Sequence, residues 1–331
     1  MSPVGSVAEL ASGIRAGARR ALARAIPLLE SSRPDDQDRA GALLDELVAD
    51  AGGALRIGIT GSPGVGKSTF IEAFGLHLVG AGHRLAVLAV DPSSQRTGGS
   101  ILGDKTRMAG LASTDAFIRP SPSGTSLGGV ARRTREAITL CEAFGFDVVI
   151  VETVGAGQAE GAVADLVDVF VLLVAPGGGD DLQGIKRGIM ELADVVVVTK
   201  ADGDLAATAR HTAADYRHAL ELLRPKTDEG PAPVIACSAL AGQSIGDVAA
   251  AVERLRRAWA ASGLLATLRS RQATAWMWAD VQARLGDALR SNPRVEALVP
   301  GIEAQVAGGA ISPTTGARRL MDAFWEAPTS R

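Results

Sequence analysis

From residue 55 to about residue 240 the chain alternates short, unbroken apolar runs with stretches patterned for helix. LRIGIT (55–60), LAVLAV (85–90), AFIRP (116–120), FDVVIV (146–151), VDVFVLLVA (167–175), ADVVVVTK (193–200) and PVIACSA (233–239) read as strands. Their interiors lack the polar alternation of a strand with one wet face. Such strands need helices on both sides, and the alternation with helices supplies them. The predicted class is therefore α/β, with a mostly parallel, doubly wound sheet over residues 54–262.

The flanks have a different period. Residues 7–50 read as two helices, SVAELASGIRAGARRALARAIPLLE and DDQDRAGALLDELVAD, parted at Pro34. Gly52 and Gly53 mark the boundary, so residues 1–53 form an N-terminal helical extension. After residue 263 no strand pattern remains. GLLATLRSRQATAWMWADVQARLGDALR reads as one long amphipathic helix, and two shorter helices follow, the last starting near Pro313.

The phosphate cradle follows the first strand directly. GSPGVGKST comprises Gly61, Ser62, Pro63, Gly64, Val65, Gly66, Lys67, Ser68 and Thr69, and fits G-x-x-x-x-G-K-[ST]. Glycines let backbone N–H groups curl around a phosphate chain. Lys67 reaches the β and γ oxygens, the Ser68 hydroxyl suits Mg²⁺, and the helix N-terminus adds its dipole. A strand before and a helix after supply the context this motif needs.

A cradle of this kind calls for a carboxylate on the metal side. Asp91 ends the second strand, Asp104 closes the polar loop after it, and Glu152 ends the strand FDVVIV. Each alone also fits a solvated loop-end charge. Together they fall at C-terminal strand ends of one sheet, where ligands of such folds bind. VETVG, with Gly155 three residues after Glu152, reads as a switch of D-x-x-G form with Glu for Asp. Gly155 would place its N–H on the γ-phosphate, so loss of that phosphate would release the loop. Gln158 follows as a candidate to position water or as a plain polar residue.

Base selection points to guanine. TKAD (199–202) stands where many GTPases carry N-K-x-D. The Asp202 carboxylate can accept from guanine's ring N–H and exocyclic amine, and adenine offers no matching donor pair. Lys200 would lay its stem over the base. Thr199 departs from Asn: its hydroxyl can hold the cradle backbone but cannot give the amide contact. Ser238, Ala239 and Leu240 resemble the loop whose backbone touches the guanine oxygen. TKAD alone also fits a helix start with Asp as cap.

Taken together, GSPGVGKST, VDPSSQRTGGSILGDKTRM, VETVGAGQAE, GGGDDLQGIKRGIMELAD and TKADGD resemble the MeaB/ArgK-type GTPases, chaperones of methylmalonyl-CoA mutase. The resemblance extends to RALARAI and RQATAWMW and so covers nearly the whole chain. It implies a P-loop GTPase of the signal-recognition-particle/MinD class, with Asp91, Asp104 and Glu152 on the Mg²⁺ side. It also implies that GGGDDLQGIK (177–186) is a third switch sensing the mutase, with Lys186 near the nucleotide. Residues 263–331 would be a homodimerisation arm. The implied activity is GTP hydrolysis to GDP that gates adenosylcobalamin loading into an acyl-CoA mutase.

Bulk properties fit that expectation. A net charge of −3 with interspersed signs argues against a general nucleic-acid or anionic-membrane surface. No apolar run reaches the length of a membrane span, and MSPVGSVAEL lacks a basic stretch followed by an apolar one. Cys141 and Cys237 lie far apart and read as buried thiols of a reducing compartment. A cytoplasmic protein is expected. Three other readings compete. A kinase of amino-acid transport would need an acceptor pocket and a base, and neither is evident. A metal-insertion GTPase would need a Cys/His motif, whereas His77, His83, His211 and His218 are scattered. A dimeric scaffold with a vestigial site would not need Lys67, Ser68 and three carboxylates. Trp276 and Trp278 read as core or interface packing.

Overall fold

The computed structural model describes residues 5–31, 33–90, 108–119, 127–153, 160–177, 187–227 and 229–326. The strands are β1 (Leu55–Gly61), β2 (Leu85–Val90), β3 (Phe117–Arg119), β4 (Val148–Thr153), β5 (Val169–Val174), β6 (Val195–Val198) and β7 (Val234–Ala236). They form one seven-stranded sheet in the order β3-β2-β4-β1-β5-β6-β7. Every pairing is parallel. The seven apolar runs are the seven strands, and the sheet is wholly parallel rather than mostly so.

Register shows why these strands carry no polar alternation. On β5, Val171 and Leu173 join one apolar cluster while Leu172 and Val174 join the other. On β6, Val195 and Val197 face the first cluster, and Val196 and Val198 the second. The first cluster packs under α4 (Lys67–Gly80) and under Ile245, Val248, Val252 and Trp259 of the helix Ile245–Ala261. The second packs under Ala209, Ala213, Tyr216 and Leu220 of the helix Ala206–Glu221. Burying each Val or Leu stabilises the fold by about 1.5–3 kcal/mol, so both faces hold the sheet.

The helices between, in chain order, are α1 (Val7–Arg15), α2 (Arg19–Glu30) and α3 (Pro34–Leu47), then α4. They continue as α5 (Ala109–Ala112), α6 (Leu127–Phe144), α7 (Glu160–Ala164), α8 (Arg187–Leu192), α9 (Ala206–Glu221), α10 (Ile245–Ala261), α11 (Leu264–Arg290), α12 (Pro293–Ala307) and α13 (Pro313–Trp325). The N-terminal extension is three helices, not two. Gly17 adopts φ +70, Gly17 N–H donates to the Ile14 carbonyl at 2.9 Å, and Ala18 N–H donates to the Gly13 carbonyl at 2.9 Å. That pair of bonds is the glycine-dependent stop of a helix C-terminus. The Ala/Arg pattern runs through the stop without a break, which hid it. Pro34 opens α3 instead of merely ending α2.

The chain divides into two compact units, Met1–Gln272 and Ala273–Arg331, with the division inside α11. Within the first unit, buried charges fasten the starts of β1 and β5 to helices. Arg56 pairs with Glu142 at 2.8 Å, and Arg56 N–H donates to Asp168 at 2.9 Å. Arg269, near the start of α11, grips Asp168 through Nε at 2.8 Å and Nη2 at 2.6 Å. Buried charges survive only when paired in this way. Within the second unit α12 packs on α13. No described helix is long and apolar enough to cross a membrane.

Candidate nucleotide site

The parallel sheet brings together the segments that follow its C-terminal strand ends. β1 leads to the cradle, β4 ends at Glu152 and Thr153, β6 leads to Thr199–Asp202, and β7 leads to Cys237–Leu240. β1 lies at the centre between β4 and β5, so the cradle stands at the middle of this edge.

Gly61 closes β1 opposite Leu173 of β5. A Cβ at Gly61 would lie 2.5 Å from the Leu173 carbonyl oxygen, a backbone atom that cannot swing aside. Gly61→Ala should therefore displace the cradle from β5 and cost about 1–3 kcal/mol of stability. Thermal unfolding and nucleotide affinity should both fall, and unchanged values for both would contradict this packing. Beyond Gly61 the chain turns through Ser62–Val65, with Val65 N–H donating to the Ser62 carbonyl at 3.3 Å. Gly66 stands at the N-cap of α4, and no side chain caps that helix. Its first N–H groups therefore lack the usual side-chain acceptor, as an anion-binding N-terminus requires.

Lys67 reaches back across the turn. Its Nζ donates to the Gly61 carbonyl at 2.7 Å and to the Ser62 carbonyl at 3.2 Å. The ammonium thus holds the loop curled while standing at its mouth. Ser68 sits in the first turn of α4, and Thr69 beside it is exposed. Glu152 is only 6% exposed, registered beside Ile59 of β1 and Ala89 of β2. The strand continues one residue further, and the Thr153 and Thr60 hydroxyls meet at 2.8 Å. Asp91, Asp104, Gly155, Gln158 and Lys186 lie outside the described residues.

The end of β6 grips the cradle with two side chains. The Thr199 hydroxyl donates to the Val65 carbonyl at 2.7 Å and leans on the Val174 carbonyl at 3.2 Å. Lys200 takes φ 54 and donates through Nζ to the Gly64 carbonyl at 2.8 Å. Two consecutive residues thus hold two consecutive cradle carbonyls. The sequence reading had Lys200 lie over the base, and the structure adds this second task.

Asp202 is not a helix cap, because its side chain caps nothing in the turn that follows. The fully buried Ser238 hydroxyl donates to Asp202 Oδ2 and accepts the Ala241 N–H at 3.0 Å. Ser238 also exchanges two backbone hydrogen bonds with Gln243, at 3.1 and 3.0 Å. The turn from Ser238 to Gln243, including the 83% exposed Leu240, is thus closed by its own bonds and holds one carboxylate oxygen. Nothing in the spacing between residues 202 and 238 announced this contact. Cys237 beside it is buried, and burial with nearby Asp247 pushes its thiol up to about 11. Burial does the same to Cys141, up to about 12. Both remain protonated free thiols at neutral pH.

The histidines stand elsewhere. His77 and His83 line a cavity of about 440 Å³ at the start of β1 and β4, the opposite edge of the sheet. His83 Nδ1 meets Asp147 at 3.0 Å, and His211 pairs with Asp215 on α9. Among the described residues no cluster of three His, Cys, Asp or Glu side chains could hold a metal.

Known proteins are similar to this chain over nearly its whole length. A Caulobacter vibrioides protein named as a GTPase is 54% identical over 325 residues, covering 98% of this chain and 99% of the other. The mouse methylmalonic aciduria type A homolog, mitochondrial, is 47% identical over 329 residues, covering 96% of this chain and 79% of the other. A crystal structure described as a LAO/AO transport system kinase matches with a TM-score of 0.74 at 39% identity, covering 96% of both chains. The family model described as methylmalonyl-CoA mutase-associated GTPase MeaB matches residues 22–294. With these relatives and a family model that matches most of its length, the chain belongs to the MeaB family of mutase-associated GTPases and is a guanine-nucleotide-binding GTP hydrolase.

Proposed function

We propose that this GTPase is the G-protein chaperone of an adenosylcobalamin-dependent acyl-CoA mutase, methylmalonyl-CoA mutase first among them, gating cofactor loading and protecting or reactivating the enzyme. One observation carries the reading: the loop Gly61–Thr69, Asp202 and the buried Glu152 follow strand ends on one edge of the sheet in a chain of the mutase-associated family. In this reading Gly61–Thr69 hold the phosphates, and Asp202 reads guanine with Ser238, Ala239 and Leu240 beside it. Lys67 neutralises charge on the β and γ oxygens. Gly155 and the segment after Glu152 orient the attacking water, and Lys186 lies near the nucleotide in the loop that senses the client.

The donor set suits magnesium. Ser68 supplies a hydroxyl, and Glu152, Asp91 and Asp104 supply carboxylates, all hard oxygen donors. Held by these donors, Mg²⁺ would supply Lewis-acid stabilisation of the charge that develops on the phosphate. The chain's own part is to hold Ser68 at the start of α4 and to bury Glu152 beside β1.

The C-terminal unit is proposed as the homodimerisation arm. Met277, Trp278 and Leu285 on α11 are 53%, 58% and 53% exposed. The expectation of core packing therefore fails for Trp278, and packing against a second copy is what remains of it.

A kinase reading has one observation in its favour, the name of the 39% identical solved structure. Transfer of label from γ-labelled nucleotide to a protein or small molecule would support it over hydrolysis. The chaperone reading is tested by gel filtration of the chain with a methylmalonyl-CoA mutase from the same source. Co-elution that changes between GDP and a non-hydrolysable GTP analogue is expected. Separate elution in both nucleotide states would contradict the partnership.

A further inference from the structure

The site treats one edge of the purine in a way that residue 199 decides. A guanine presents two donors to a carboxylate on its Watson–Crick edge. On the adjacent edge it presents two acceptors, O6 and N7. In the proposed guanine reading the backbone of Ser238–Leu240 takes O6. Reading N7 requires another donor, and Thr199 stands at the end of β6 between the cradle and Asp202.

A threonine hydroxyl carries one proton. That of Thr199 is directed at the Val65 carbonyl at 2.7 Å, with the Val174 carbonyl at 3.2 Å as second acceptor. The residue is 4% exposed, so the side chain is packed in this setting. What remains on the oxygen are lone pairs. N7 also has only a lone pair, and two acceptors form no hydrogen bond. An asparagine has two amide protons: one can hold the Val65 carbonyl and leave the other for N7.

We propose that residue 199 is a specificity determinant for the imidazole edge of the base, and that Thr199 makes this GTPase indifferent to N7. 7-Deazaguanine nucleotides, in which N7 is a C–H, are then ligands equal to guanine nucleotides. The inference rests on the guanine-binding reading of Asp202. It makes Thr199 a clamp on the cradle that leaves guanine-over-adenine choice to Asp202, since both purines carry N7.

Calorimetric titration of the full chain with GDP, 7-deaza-GDP and ADP tests this, using wild type, Thr199→Asn and Thr199→Ser. Wild type should bind GDP and 7-deaza-GDP within about twofold of each other. Thr199→Asn should gain a preference for GDP of about two- to tenfold, the worth of one neutral hydrogen bond. Thr199→Ser, which keeps the hydroxyl, should keep the wild-type ratio of GDP to 7-deaza-GDP affinity. A several-fold preference for GDP over 7-deaza-GDP in wild type would overturn the proposal, as would a folded Thr199→Asn that stays indifferent. If Thr199→Asn does not fold, the wild-type ratio decides alone. Equal affinity of wild type for GDP and ADP would instead sink the guanine reading beneath it, so the two failures are distinguishable.

Discussion

Lys67→Ala should lower GTP turnover about a hundred- to thousandfold, the loss typical when one preorganised electrostatic donor is removed from a transition state. Two effects combine. The ammonium offsets negative charge on the β and γ oxygens as the bond to the γ-phosphorus breaks. It also donates to the Gly61 and Ser62 carbonyls at 2.7 and 3.2 Å, so the variant loses the brace that keeps the loop curled. Lys67→Arg should not restore the rate, because a planar guanidinium cannot occupy the place of a compact ammonium between two carbonyls. Thermal unfolding should shift little for either variant, since the side chain is only partly buried. Phosphate release under single-turnover conditions reads the effect directly. A rate equal to wild type would mean that the cradle is vestigial and the chain a scaffold.

Asp202→Asn should lower GDP affinity about tenfold to a hundredfold, corresponding to about 1–3 kcal/mol for leaving base donors opposite the wrong partner. The native carboxylate offers two acceptors, one of them oriented by the Ser238 hydroxyl. The amide replaces one acceptor with a donor, which then faces a guanine donor. Xanthine carries a carbonyl where guanine carries its exocyclic amine, so the same variant should gain affinity for XDP. Competition binding with GDP, XDP and ADP distinguishes a switch of base from a collapse of the site. Retained preference for GDP would show that guanine is read elsewhere.

The sheet was open to sequence reading because its strands are short runs rich in Val, Ile, Leu, Ala and Phe with few polar residues, separated by stretches patterned for helix. Even the three-residue β3 and β7 fall inside runs that the pattern marks. The hold of Thr199 on the cradle backbone was legible too, since a hydroxyl at a strand end beside a glycine-rich loop has that acceptor within reach. Other features depend on contacts that sequence distance conceals. Ser238 and Asp202 are 36 residues apart, Arg56 and Glu142 86, and Arg269 and Asp168 101. The first forms because the sheet aligns the ends of β6 and β7, and the other two because α6 and the start of α11 pack beside the starts of β1 and β5. The stop at Gly17 escaped because its neighbours are good helix formers, and only the left-handed backbone there reveals it. Trp278 read as core or interface packing, and its 58% exposure on α11 rules out only the first.

The central claim is that this site turns over GTP for a mutase client. Phosphate release from GTP and from ATP, each with and without a methylmalonyl-CoA mutase from the same source, tests it most directly. The account predicts turnover selective for GTP that rises when the mutase is added. Turnover of ATP at an equal or greater rate, or GTP turnover indifferent to the mutase, would contradict it.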